Sequence, residues 1–212
     1  MTLSLGQSLR QTQRIRLSQV QRIALQELGF SLRLQLVEAL HGERYEPRAE
    51  CPSCGRKMTP GEIIRGFNVD PRDFTTQCPE CRHRFAPSLI CFGNGSEIVL
   101  PFFCASQTLA QLPGKEMLTP EQFARAHPAI YRSAIVHHGG LRRAFAKIGV
   151  VYGGEEISDW RAKVAPFLGR MPDTIIAECA DVGVRAIRKF RRELGIARYT
   201  LAAALDEAGV AE

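Results

Sequence analysis

Apolar and polar positions alternate along the chain in three regimes. Residues 1–17 are polar and rich in Gln, Arg and Ser, with Leu3, Leu5, Leu9, Ile15 and Leu17 as isolated apolar points, a pattern that predicts an extended arm. Ser18 and Gln21 then form a capping box, and Val20, Ile23, Ala24 and Leu28 fall on one helical face before Gly29. Ser31 opens a second helical pattern carrying Leu32, Leu36, Val37 and Leu40, with Gly42 placed as its C′ residue. Residues 1–42 therefore read as an arm and a helical hairpin. Its apolar stripe is too small to fold alone, so it docks on the rest of the chain or on a partner, and the tight punctuation by Gly29 and Gly42 favours a separate docking element.

The middle of the chain reads as β structure. Thr59–Phe67 and Asp73–Thr76 are predicted as short strands around the turn signal Asp70-Pro71. Arg84-Phe85 and Ser88–Phe92 follow as strand, Gly93-Asn94-Gly95 as a hairpin turn, and Glu97–Phe103 as the returning strand with Pro101 on an edge. From Pro120 the period becomes helical: Phe123 and Ala126 lie on one segment and Ile130, Tyr131, Ala134 and Ile135 on the next, up to the break at Gly139-Gly140. Helices are also predicted over 141–148, 158–168, 172–177 and 184–194, with Trp160 in the core. The expected fold is α+β and multidomain: a helical hairpin at 1–42, a small antiparallel zinc-ribbon sheet at 43–112, and an all-α domain at 113–212 with a helix-turn-helix at 172–195.

The cysteines give this frame its chemistry. Cys51-Pro52-Ser53-Cys54-Gly55 is answered after 23 intervening residues by Cys78-Pro79-Glu80-Cys81. Each Cys-x-x-Cys is a tight turn that aims two thiolates at one point, and two of them supply the ligands of one structural zinc ion. Pro presets the turn, and Gly55 accepts the left-handed backbone after it, whereas Arg82 stands at the matching position of the second turn. The alternatives are two disulfides or a redox Cys-x-x-Cys. A closed set of four protein ligands leaves no position for water, so the metal is expected to hold the fold and not to catalyse. Cys91, Cys104 and Cys179 read as buried small apolar residues, and His83 as a surface residue. His137 and His138 are adjacent on a helix, point about 100° apart and do not share an ion.

Composition narrows the function. The 212 residues carry a net charge of +6 and 45% apolar content, which fits a globular protein with an anionic partner. No apolar run reaches the ~20 residues of a membrane span, and no signal-peptide core is present, so the expected setting is cytoplasmic and reducing, without a membrane. In the last segment Ala177 allows close helix crossing, and Val182, Ile187, Phe190 and Leu194 form the shared core of a helix-turn-helix. The other face offers Arg185, Arg188, Lys189, Arg191 and Arg192, with Arg198 beyond; Glu193 is the one acid among these six basic residues between Val184 and Tyr199. That density beside such a motif points to double-stranded DNA, with Arg185 toward guanine and Lys189 and Arg192 toward phosphates.

Both ends of the chain resemble sigma factors of the sigma-54 class. Leu3, Leu5, Gln7, Leu9, Leu17-Ser18-Gln19, Leu25, Leu28, Leu36 and Glu38-Ala39-Leu40 resemble that family's N-terminal activation region, although Gln19 stands where the family usually has Pro. Arg185 to Ile196 resembles its DNA-reading box, with Arg185, Lys189, Arg191, Leu194 and Ile196 in matching positions and Phe190 in place of Tyr. The resemblance implies promoter DNA as ligand and core RNA polymerase as a partner through residues 1–42. The zinc ribbon is no part of that family, and its central core-binding region is not recognisable. Two other readings remain: a zinc-ribbon RNA-binding or macromolecular-assembly protein, and a DNA-binding accessory module of a nuclease, because Tyr131–Ile148 resembles small helical repeats attached to homing endonucleases. The chain shows no Gly-rich phosphate loop, no His-Glu metal signature and no nucleophile paired with a base, so no catalysis is expected.

Overall fold

The structure is a computed structural model that describes residues 17–69, 74–93, 96–103, 107–153 and 157–210. The arm expected at 1–17 therefore lies, up to residue 16, outside the described residues, as do Asp70-Pro71, Asn94-Gly95 and Cys104. The mixed α+β character is as expected, and the three-stranded sheet is antiparallel.

The expected hairpin is one helix. α1 runs unbroken over Gln19–His41, started by the Ser18/Gln21 capping box and closed by Gly42 in the left-handed conformation at φ 75°. Gly29 costs a helix interior roughly 1 kcal/mol relative to Ala. Ile23, Leu32, Leu34, Leu36, Val37 and Leu40 are all buried around it, at about 1.5–3 kcal/mol for each fully buried aliphatic side chain, so packing prevails over the break.

β1 follows at Arg44–Arg48, and then α2 at Pro60–Val69, where a strand is expected over Thr59–Phe67. The reason is local: Thr59 and Glu62 cap reciprocally, with Glu62 N donating to Thr59 Oγ1 at 3.2 Å and Thr59 N to Glu62 Oε2 at 2.9 Å. Pro60 starts the helix at no cost in hydrogen bonds. β2 is reduced to Thr76–Gln77 and pairs with β3 at Arg84–Phe85. Gly66 lets α2 lie directly on this pair, since a Cβ there would stand 2.3 Å from Thr76 Oγ1 and 2.6 Å from the Gln77 backbone. The cysteine region is thus two turns bridged by a helix, a correction to the all-strand ribbon. β4 at Ser88–Gly93 and β5 at Ser96–Pro101 complete the sheet in the order β1-β4-β5, with Tyr45 opposite Cys91 and Leu89 opposite Leu100.

The remaining elements are helical: α3 at Gln107–Ala110, α4 at Pro120–Ala126, α5 at Pro128–His138, α6 at Leu141–Lys147, and α7 at Trp160–Val164 continued by a 3-10 turn. α8 at Asp173–Cys179 and α9 at Val184–Glu193 follow, and α10 at Leu201–Glu207, capped by Thr200, is an element the sequence reading lacks.

α1 packs on β1, α2, α5, α7, α8 and α10, and one apolar cluster joins its Leu36 to Ile63 of α2, Leu89 of β4, Ile176 of α8 and Ile187 of α9. The three-part division at 42 and 112 is therefore not a division of the core. Polar contacts cross the same seams: Arg33 pairs with Glu178 at 3.2 Å, Lys163 Nζ donates to Leu40 O at 3.0 Å, and Arg132 of α5 is paired with Glu43 beside β1. A second, smaller cluster of Leu112, Phe123, Ala134, Leu141, Ala144, Phe145 and Tyr152 fills the space among α3, α4, α5 and α6.

Candidate metal centre and nucleic-acid interface

The two Cys-x-x-Cys turns are built alike. In the first, Gly55 N donates to Cys51 O at 2.8 Å and Cys51 N to Arg56 O at 2.9 Å; in the second, Arg82 N donates to Cys78 O at 3.0 Å and Cys78 N to His83 O at 2.9 Å. Gly55 at φ 71° and Arg82 at φ 60° take the same left-handed conformation, so the second turn sustains in an arginine the strain that glycine removes from the first. The turns face each other through their cysteine side chains. Arg56 braces them by binding Glu62 at 2.7 Å and Glu80 at 3.3 Å.

The four sulfurs converge. Cys51 Sγ lies 3.5 Å from Cys81 Sγ, Cys54 Sγ lies 3.7 Å from Cys78 Sγ, and all four ligand atoms fall within 4.8 Å of one another. A disulfide needs about 2.05 Å, and these distances exceed it. Four thiolates held about 2.3 Å from a tetrahedral ion sit about 3.8 Å apart, so the cluster fits a metal ion. Cys51 and Cys78 are buried and Cys54 and Cys81 exposed. The backbone N–H of His83 is the main influence that lowers the Cys81 thiol to about 7. At Cys54 the N–H of Arg56 acts in the same sense, but burial and the three neighbouring thiols hold that group up at about 12. A divalent cation would relieve this crowding by taking all four as thiolates.

The second constellation is α8, its turn and α9. Asp181 occupies the left-handed position of the turn at φ 52°, and Val182 N donates to Ala177 O at 3.1 Å. Sequence reasoning missed what fixes this turn. Arg142 and Arg143 of α6 bind the Asp181 carboxylate at 2.6 and 2.9 Å, and the Arg143 guanidinium also donates to Ala177 O at 2.7 Å and Val182 O at 2.8 Å. These partners are about 40 residues away in sequence, and no local pattern announces such a pairing.

On α9, Ile187 is fully buried, and Arg185, Arg188, Lys189 and Arg192 are exposed. Arg185, Arg188 and Arg192 have no carboxylate within ion-pair distance among the described residues, while Lys189 lies 3.8 Å from Glu193. Arg198 is likewise exposed beyond the helix.

Two sequence expectations need correction. Arg191, grouped with the DNA-binding residues, follows Ile187 by four positions and so lies on the inward edge of the helix. Its guanidinium binds Asp173 at the start of α8 at 2.9 and 3.0 Å and donates to Ile196 O at 3.0 Å, with the two side chains 11% and 12% exposed. Arg191 locks α9 onto α8 and offers nothing outward. Leu194, expected inward, is the C-cap residue after the helix has ended and is 49% exposed.

No family model matches the chain, and no curated protein and no solved structure matches it. The functional reading therefore stands on these geometries. His137 and His138 have separate partners, Pro101 O at 2.9 Å and Lys147 Nζ at 3.2 Å, and share no site. Cys91 and Cys179 are buried, and no helix among the described residues is long and apolar enough to cross a membrane.

Proposed function

We propose that the protein binds double-stranded DNA through α9 as a transcription regulator, and that Cys51, Cys54, Cys78 and Cys81 hold one structural zinc ion. The observation that carries the DNA reading is the outward arc of Arg185, Arg188, Lys189 and Arg192 on α9, the second helix of a pair whose connecting turn is braced by Arg142 and Arg143. The inward arc is fixed by Ile187 and by the Arg191–Asp173 pair. Burying one side of α9 in this way presents its basic side as a unit, which suits phosphates and base edges of a major groove. An all-thiolate set of four protein ligands that closes the site suits structural zinc. Its contribution would be to fold the two turns against α2.

The resemblance of residues 185–196 to the DNA-reading box of sigma-54-class factors supports the same reading. The proposed docking of core RNA polymerase through residues 1–42 rests on the resemblance alone, since Leu32, Leu34, Leu36, Val37 and Leu40 of α1 are buried in the protein's own core. The test is anisotropy of labelled duplexes, both random and selected by the protein from a random pool. Arg185→Ala should lose about 1–3 kcal/mol of discrimination between the two, whereas Arg192→Ala should weaken both alike. Variants that bind both pools as the parent does, with the fold intact, refute the interface. Tighter binding to RNA than to DNA of the same sequence transfers it to an RNA-binding protein.

A further inference from the structure

We infer that the nucleic-acid surface extends from α9 onto α7, where Arg161 is a held phosphate-binding group for the backbone of the same DNA duplex; this rests on the DNA reading of α9. Arg161 is exposed, and its guanidinium stands 5.6 Å from the Trp160 ring centre and 5.5 Å from that of Phe190. The two rings meet edge to face, with centroids 5.8 Å apart at 82°. Phe190 belongs to α9 and follows Lys189 directly, so the ring under Arg161 marks the seam between the buried and the basic arcs of that helix. Arg161 thus sits at the border of the basic arc, on a different element.

Its charge is uncommitted among the described residues. Among the described residues no carboxylate lies within ion-pair distance of Arg161 and no acceptor takes a hydrogen bond from it. Arginines that serve the fold here are paired: Arg33 with Glu178, Arg132 with Glu43, Arg191 with Asp173. A guanidinium placed over aromatic faces keeps its N–H edge available while losing less side-chain freedom on binding an anion, which is what a preorganised phosphate contact requires. Duplex DNA is favoured as the ligand because the site borders a helix already shaped for a groove, and recognition motifs of this kind bind flanking phosphates with residues outside the recognition helix.

The experiment uses the full chain. Affinities of parent, Arg161→Ala and Arg161→Lys for specific and random DNA duplexes are measured from about 50 to 200 mM salt, with circular dichroism and zinc content as controls of folding. Losing one phosphate contact lowers the salt slope by about 0.9, so the advantage of the parent over Arg161→Ala should shrink about 3.5-fold across that range. The loss should be the same for specific and random duplexes, and Arg161→Lys, which keeps the charge without the planar stack, should recover part of it. Trp160 is the single tryptophan, so its fluorescence should also change as duplex is added to the parent. Unchanged affinity and slope in Arg161→Ala, with Arg192→Ala weakened, would overturn this inference alone. A parent that binds no duplex overturns the DNA reading and this inference with it. A loss confined to an RNA duplex of the same sequence would make the surface one for RNA.

Discussion

Leu36→Ala should destabilise the two cysteine turns and the α8–α9 pair together. Leu36 is fully buried in α1, in the cluster that runs from Ile63 beside the cysteine turns to Ile187 on α9. Removing three heavy atoms from a site enclosed by elements on all sides leaves a cavity that cannot collapse freely, and such Leu→Ala changes cost about 2–5 kcal/mol. With complete burial we expect about 3–4 kcal/mol. For a chain of this size the urea dependence is about 2–3 kcal/mol per molar, so the midpoint should fall by about 1–2 M.

Three probes read three parts of the molecule. Far-ultraviolet circular dichroism follows the helices, Trp160 fluorescence follows the neighbourhood of Phe190 on α9, and a chromophoric chelator follows the cysteine turns. If α1 is the shared core, the three transitions coincide in the parent and move together in the variant. A variant whose circular dichroism midpoint falls while the Trp160 or metal-release midpoint stays with the parent's would refute the single core and restore the division at residue 42.

Two further outcomes follow from the same structure. The parent should contain one zinc per chain by elemental analysis, and Cys78→Ser should lose the metal and the Thr76–Gln77/Arg84–Phe85 pairing, because structural zinc and folding are one equilibrium; full zinc retention in Cys78→Ser would reject the site. Burial lowers His137 and His138 to about 4, so between about pH 6.5 and pH 4 the unfolded chain binds more protons; stability should be level above that window and fall with pH inside it. His137→Gln, which keeps a donor for Pro101 O but does not titrate, should show a shallower fall in melting temperature over that window; identical slopes would remove His137 as a cause.

The cysteine spacing was legible because ligand geometry is local: four residues in two turns determine it. The core face of α9 was legible for a similar reason, through the interval from Ile187 to Phe190. The same interval carried one step further, from Ile187 to Arg191, places that arginine inward, so its position is also contained in the sequence. α2 is a second such case. The capping box Thr59-Pro60-Gly61-Glu62 is present in the sequence beside the β-branched pair Ile63-Ile64, which favours a strand, and a reciprocal cap with Pro at the first turn decides against two moderate propensities. Gly29 differs, since its tolerance inside α1 depends on what the rest of the chain packs against Leu32 and Leu36. No local rule contains that. The Arg142 and Arg143 clamp on the Asp181 turn is equally non-local.

The continuity of α1 changes what the metal would do for the proposed function. A cysteine module with two very short strands and a single ten-residue helix buries too little apolar surface to stand by itself, and the pair of short helices α8 and α9 is in the same position. Each leans on α1: α2 through Ile63 and the Asn68–Gln26 hydrogen bond of 3.0 Å, α8 through Ile176 and the Arg33–Glu178 pair. A metal bound at the cysteine turns would then stabilise the orientation of α9 through the core that both share. Under that arrangement removal of the proposed zinc should lower the population of protein competent for the proposed DNA binding and leave the intrinsic affinity of the folded fraction unchanged.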